Sequence, residues 1–171
     1  VMNPRDPSTN KMVAQVQGGG WAISDFAPDK KTAIVSQYRS VTNVDMSSLD
    51  LASGQMTPIG DHQKDVAIGG AEFAPDGTLW VTSDEGSDFQ RLGTMDIKTG
   101  AFTPRGPTEK WDVEAFDISP DGSFIVYATN EAGVSKVKIL DIKTGGARVV
   151  QGLPAGIVGS FNIAEWGDIG I

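Results

Sequence analysis

Phe73-Ala74-Pro75-Asp76-Gly77-Thr78, followed by Met95-Asp96-Ile97-Lys98-Thr99-Gly100, is the stretch that decides the fold. Each half recurs. Phe26-Ala27-Pro28-Asp29-Lys30-Lys31 stands before the first half, and Ile118-Ser119-Pro120-Asp121-Gly122-Ser123 after it. The second half returns as Leu49-Asp50-Leu51-Ala52-Ser53-Gly54 and as Leu140-Asp141-Ile142-Lys143-Thr144-Gly145. The prolines are 47 and 45 residues apart and the closing glycines 46 and 45. Proline to glycine within a unit is 26, 25 and 25 residues. Two markers that keep one phase through three copies define an internal repeat.

Each unit reads as four short strands. In the second, Gly70–Ala74 leads into a Pro-Asp-Gly turn, where proline presets φ and glycine is free to take a positive φ. Thr78–Thr82 is aromatic and β-branched, Phe89–Ile97 makes a third strand and Ala101–Thr103 a short fourth. In the third unit Phe124–Ala128 and Lys136–Ile142 flank a loop at Asn130–Ser135. No segment carries a helical apolar stripe. Four strands in about 45 residues is the period of a β-propeller blade, which buries its faces only by stacking on neighbours. The expected fold is therefore all-β: a β-propeller fragment of three complete four-stranded blades with partial blades at both ends. Residues 1–20 are expected to end a preceding blade, with Met12–Val16 as its outer strand. Residues 21–66, 67–111 and 112–156 form the blades, and 157–171 begins a following one, with Gly159–Ala164 as its innermost strand.

Composition narrows the function. Of 171 residues, 39% are apolar and 21% charged, ordinary for a globular domain and against disorder. The formal charge of −8 disfavours nucleic acid or an anionic membrane as partner, since either needs a basic face. There is no cysteine, so no disulfide framework fixes the compartment, and cytoplasm and periplasm both stay open. The first residues, Val1-Met2-Asn3-Pro4-Arg5-Asp6, show neither the basic nor the apolar region of a signal peptide.

The repeated Pro-Asp-Gly and Leu-Asp-x-x-Thr/Ser-Gly markers resemble the propeller repeats of TolB-like proteins and of the prolyl oligopeptidase family of serine peptidases. Four longer stretches pull toward the peptidases of dipeptidyl-aminopeptidase and acylaminoacyl-peptidase type: Gly69–Phe73, Ser83–Leu92, Trp111–Ser119 and Asn130–Ser135. The resemblance runs from about Ala14 to Trp166. It implies a parent enzyme in which the propeller caps a C-terminal α/β-hydrolase domain and restricts access to peptide-sized substrates. The nucleophile elbow Gly-x-Ser-x-Gly of such a hydrolase does not occur here, and Gly159-Ser160-Phe161 lacks its spacing. His62, the single histidine, falls in a connection between units and reads as a solvated loop residue. No catalytic residue, metal site or cofactor is expected in this chain.

What remain are contact candidates. Alternating strand direction puts Gln37–Asn43, Asp84–Asp88 and Asn130–Ser135 on one face with the links Asp61–Asp65 and Thr108–Asp112. Arg39, Asp84, Glu85, Asp88, Trp111 and Glu131 are the polar or aromatic groups there, candidates for meeting the hydrolase domain or lining a substrate path. Glu72 and Glu114, on or beside innermost strands, are candidates for a central channel, and Arg91 for pairing with a loop acid. Trp21, Phe73, Trp80, Ile97, Phe116, Phe124 and Ile142 read as packing between blades. Two other functions stay open: a TolB-like scaffold for protein partners, and a metal-dependent propeller lactonase, for which Glu72 and Glu114 are too few ligands. A three-blade arc leaves two apolar blade faces and two strand edges exposed, so a homodimer built from the blade faces is expected.

Overall fold

In the computed structural model, which describes residues 1–171, the chain forms fourteen strands and one three-residue 3-10 turn at Pro7–Thr9. Three antiparallel sheets of four strands follow one another in sequence order. The first contains β1 (Trp21–Phe26), β2 (Thr32–Ser40), β3 (Asn43–Asp50) and β4 (Met56–Ile59). The second contains β5 (Ile68–Phe73), β6 (Leu79–Ser83), β7 (Arg91–Met95) and β8 (Phe102–Pro104). The third contains β9 (Val113–Ile118), β10 (Phe124–Glu131), β11 (Val134–Asp141) and β12 (Ala147–Val149). A two-stranded sheet, β13 (Asn162–Ile163) with β14 (Ile169–Gly170), ends the chain. The first strands adjoin one another in turn, β1 beside β5, β5 beside β9 and β9 beside β13.

The turns explain why the repeat markers matter. Asp50, Asp96 and Asp141 each open a turn in which the glycine N–H returns to the aspartate carbonyl, at 2.8, 2.8 and 2.9 Å. Their carboxylates also accept the N–H of Ser53, Thr99 and Thr144, bonds that hold all three carboxyls below the usual range. Such bonds are present above that range and are lost as acid protonates the aspartates. At the Pro-Asp-Gly turns, Gly77 and Gly122 have φ of 87° and 69°. Lys30 takes 59° at the same position in the first unit, a conformation unusual for a side chain with a Cβ.

Each sheet presents an alternating apolar row to each neighbour. Between the first and second sheets, Ile34, Met46 and Ile59 meet Phe73, Leu79, Val81 and Met95. Between the second and third, Trp80 and Leu92 meet Ile118, Ile125, Tyr127 and Leu140. Phe116 and Ile142 pack partly buried on that second cluster, Ile97 on the first, and Phe124 on the outer face of the third sheet.

The chain ends depart from expectation. Met12–Val16 forms no strand; instead Val13 and Ala14 lie with Trp21 on Ala33, Val35 and Leu49 of the first sheet. At the other end Val150, Val158, Phe161, Ile163 and Ile169 cover Val126 and Val137. The expected bare faces are thus partly covered by the chain itself, because short apolar segments there find the nearest unpaired apolar row. Gly159–Ala164 is strand only at Asn162–Ile163. Of the expected loops between second and third strands, Asp84–Asp88 stays a loop between β6 and β7, and the other two shrink. Asn130–Ser135 is a two-residue Ala132-Gly133 hairpin turn with φ of 55° and 86°, and in Gln37–Asn43 the turn is Val41-Thr42, with Arg39 bulged out of the pairing. In both, polar residues continue the strand pairing.

Coverage at the leading face remains incomplete. Phe26 is 48% exposed, whereas Phe73 and Ile118 at the same position are 9% and 6% exposed under the preceding sheet. Phe26→Ala is expected to cost about 1 kcal/mol, and Phe73→Ala about 3 kcal/mol, by urea denaturation. Equal costs would show that something covers Phe26 in solution.

Candidate functional site

Two sets of side chains stand out, one along the first strands and one on the face formed by the second-to-third-strand turns and the inter-sheet links. Along the first strands, Asp25, Glu72 and Asp117 occupy one position in three successive sheets. Each reaches across a junction to a backbone N–H of the next first strand. Asp25 Oδ2 accepts from Phe73 N at 2.7 Å, Glu72 Oε1 from Ile118 N at 3.4 Å and Asp117 Oδ2 from Ile163 N at 2.7 Å. Glu72, a candidate for a central channel, lies on β5, half-buried, and its bond joins sheets. Glu114 is exposed and accepts from Asn130 Nδ2 at 3.1 Å within its own sheet. Asp25 and Asp117 went unnoticed in the sequence although they precede Phe26 and Ile118 of the repeat marker.

The face of turns and links holds the other candidates, and most of them serve the backbone. Asp84 Oδ1 accepts from Ala67 N at 2.8 Å, while Asp84 N donates to the Ala67 carbonyl at 3.2 Å, so the second link is tied to β6. Asp112 Oδ1 accepts from Gln90 N at 2.8 Å and Val113 N donates to the Gln90 carbonyl at 3.0 Å, tying the third link to the preceding sheet. Arg91 has no carboxylate partner: its guanidinium donates to the Glu85 carbonyl oxygen at 2.7 Å and lies 5.9 Å from the Phe102 ring centroid. The expected pairing with a loop acid is absent because Glu85 presents its backbone, not its side chain.

His62 is not a free loop side chain. Its Nε2 donates to the Met46 carbonyl at 2.7 Å, and Nδ1 is 3.8 Å from Asp45, which also accepts from Arg39 Nε. Asp88 is exposed beside Asp84, Glu85, Asp65 and Lys64 in a shallow depression of about 780 Å³. Trp111 is 40% exposed. Tyr38, Val41 and Phe89 are exposed on the same face.

One network was not legible in the sequence. Glu109, from the link before β9, accepts from Lys138 Nζ at 2.6 Å and from the Tyr127 hydroxyl at 2.8 Å. Lys138 and Glu109 are only 12% and 13% exposed. Burial, and then the Glu109 carboxylate, push the Tyr127 hydroxyl above its ordinary pKa. Glu131 stands 3.5 Å from Lys138 and accepts from Thr129 Oγ1 at 3.2 Å, so this candidate also has a partner inside the protein. No three of the acidic or histidine side chains converge as a metal-ligand group, and no helix is long and apolar enough to cross a membrane.

Sheets of four antiparallel strands, stacked face to face with their first strands side by side, define a β-propeller segment. No protein-family model matches the chain. It is 28% identical over 133 residues, 74% of its length, to dipeptidyl-peptidase 5 of Porphyromonas gingivalis. It spans about a fifth of that relative, 19% of its length. Among solved structures, one from a study of two prolyl endopeptidases superposes with a TM-score of 0.73 at 19% identity, covering 94% of this chain and 24% of the other. A putative TolB from Agrobacterium tumefaciens gives 0.72 at 18% identity, covering 90% and 58%. A puromycin hydrolase gives 0.69 at 19% identity, covering 82% and 23%. The match in sequence is thus to a dipeptidyl-peptidase, and the likeness to TolB and to a prolyl endopeptidase, read first from the repeat markers, is one of fold.

Proposed function

We propose that the chain is the non-catalytic propeller portion of a prolyl-oligopeptidase-family serine peptidase, three blades with parts of a further blade at each end, and that it shapes substrate access to an α/β-hydrolase domain. The alignment with dipeptidyl-peptidase 5 carries this reading, because at 133 residues it is longer than two of the 45-residue repeats. On this reading Arg39, Asp84, Glu85, Asp88, Trp111 and Glu131, of the turn-and-link face, are the residues that would meet the second domain or the substrate path. The backbone bonds of Asp84 and Asp112 give that face a fixed shape, as a gate built from loops needs.

Two experiments test the reading. The gene continuing beyond Ile171 is expected to encode an α/β-hydrolase segment with a Gly-x-Ser-x-Gly elbow. The purified chain is expected to show no turnover of aminoacyl or acylaminoacyl chromogenic substrates. Turnover that co-purifies with the chain and survives Ser160→Ala would overturn its non-catalytic assignment. A TolB-like scaffold for protein partners is the second reading, favoured by the 58% of the Agrobacterium protein that the superposition covers. A second copy of the chain is the self-partner this reading allows, seated on the exposed Phe26 side of the first sheet. Light scattering that gives a monomer mass of 18.1 kDa would remove it.

A further inference from the structure

The three carboxylates of the first strands do not make equivalent junctions. Asp25 and Asp117 reach the next strand at 2.7 Å, but Glu72 reaches Ile118 N at 3.4 Å. The difference has a cause. Ile118 N also donates to its neighbour Asp117 Oδ1 at 2.9 Å, so two carboxyl groups from adjoining sheets converge on one donor. The Glu72 and Asp117 carboxyls therefore stand side by side on the Ile118 N–H, at 3.4 and 2.9 Å. Two ionised carboxylates so placed repel, and one retained proton turns that repulsion into a hydrogen bond. At the Asp25–Phe73 junction a single carboxylate accepts from the N–H, at 2.7 Å, and no second acceptor competes for it.

We propose that Glu72 and Asp117 form a proton-operated clip between the second and third sheets, in which one shared proton holds β5 against β9 and its loss loosens that junction alone. The groups facing Glu72 come from every element around it. Asp117 approaches from β9 and Asp25 from β1, and its register partner on β6 is the uncharged Trp80. No lysine, arginine or histidine is within ion-pair distance of it. Burial first, and then the Asp117 carboxylate, push the Glu72 carboxyl from the usual 4.5 up to about 8. Between those limits the folded chain holds a proton that the unfolded chain has shed, so stability falls as pH rises through that window. This sign is opposite to that of the turn aspartates, whose bonds fail on the acid side.

Three readings on the purified full chain test the clip. The Glu72 carboxyl carbon, followed by NMR in the unmodified protein, is expected to titrate near the high value of about 8; a midpoint near 4.5 would overturn the proposal. Urea midpoints of the unmodified chain are expected to fall from pH 6 to pH 9, while Glu72→Gln, which donates to Asp117 at every pH, stays level. Parallel curves for the two would also overturn it. At pH 9 the Ile118 amide of the unmodified chain, corrected for intrinsic rate, is expected to exchange roughly tenfold faster than in Glu72→Gln. That pH lies one unit above a midpoint of about 8, where the ionised form outnumbers the protonated roughly tenfold. The Phe73 amide across the other junction is expected to match in both proteins; if it speeds up equally, the pair does not act on one junction. Should Glu72→Gln fail to fold, the NMR midpoint and the two amides of the unmodified chain decide.

Discussion

Glu109→Ala is expected to destabilise the chain by about 3 kcal/mol, lowering the melting temperature by roughly 6–12 °C. The figure follows from what the substitution strands. Lys138, 12% exposed, loses a carboxylate at 2.6 Å, and the buried Tyr127 hydroxyl loses its acceptor. An uncompensated buried ammonium costs about 3–5 kcal/mol. Glu131, 3.5 Å from Lys138 and 31% exposed, can still partner the ammonium, which sets the expectation at the lower end. Removing both charges in Glu109→Leu with Lys138→Met is expected to return most of the loss, since an apolar pair of similar volume avoids the desolvation cost. A thermal melt of the three proteins decides. If the single and double variants melt alike, the loss comes from packing of the link and not from the stranded charge. The network also bears on the proposed gate: Glu109 anchors the link that carries Trp111 and Asp112, so its loss is expected to speed amide exchange along that link.

The contrast between what the repeat markers disclosed and what they hid has a physical basis. Pro75-Asp76-Gly77 and Asp96–Gly100 fix local backbone geometry, and local geometry is written in adjacent residues, so strand number, order and turn positions were legible. Trp80, Phe73 and Ile142 were legible as core because alternation assigns them to a face. Junction chemistry is different. Asp25 touches Phe73, and Glu72 touches Ile118, about one period away; the markers give the period but not the register between stacked sheets. The same phase did contain a usable signal, since Asp25, Glu72 and Asp117 all precede the last residue of a first strand. Glu109 and Lys138 had none, because the other repeats lack the pair. Met12–Val16 was misread for a related reason: its pattern fits a strand, but with no neighbouring edge to pair with, Val13 and Ala14 satisfy their apolar surface on the first sheet instead.

The closing glycines of the three repeat turns give the sharpest test of how tightly the sheets stack. Gly100 and Gly145 share a turn type, an aspartate cap and nearly one φ, 73° and 71°. They differ in what surrounds them. A Cβ on Gly145 would meet nothing within 4 Å, whereas one on Gly100 would stand 2.2 Å from the Gly60 Cα and 2.4 Å from its nitrogen, at the end of the first sheet. Gly145→Ala therefore carries only the conformational penalty of a left-handed alanine, about 1 kcal/mol. Gly100→Ala carries that penalty and must also push backbone from backbone. No rotamer change relieves such a clash, so overpacking adds roughly 2 kcal/mol, for a total of about 3 kcal/mol. Urea midpoints of the two variants measure the difference directly, because the shared penalty cancels between them. Near-equal midpoints would mean that the first and second sheets part easily at Gly60 and Gly100, and that the stack is held by the inner apolar rows alone. A gap near 2 kcal/mol would place a second close contact at the far edge of the same junction. Two such contacts, Asp25 on Phe73 at the inner strands and Gly60 on Gly100 further out, resist hinging between the sheets where one would only pin a pivot.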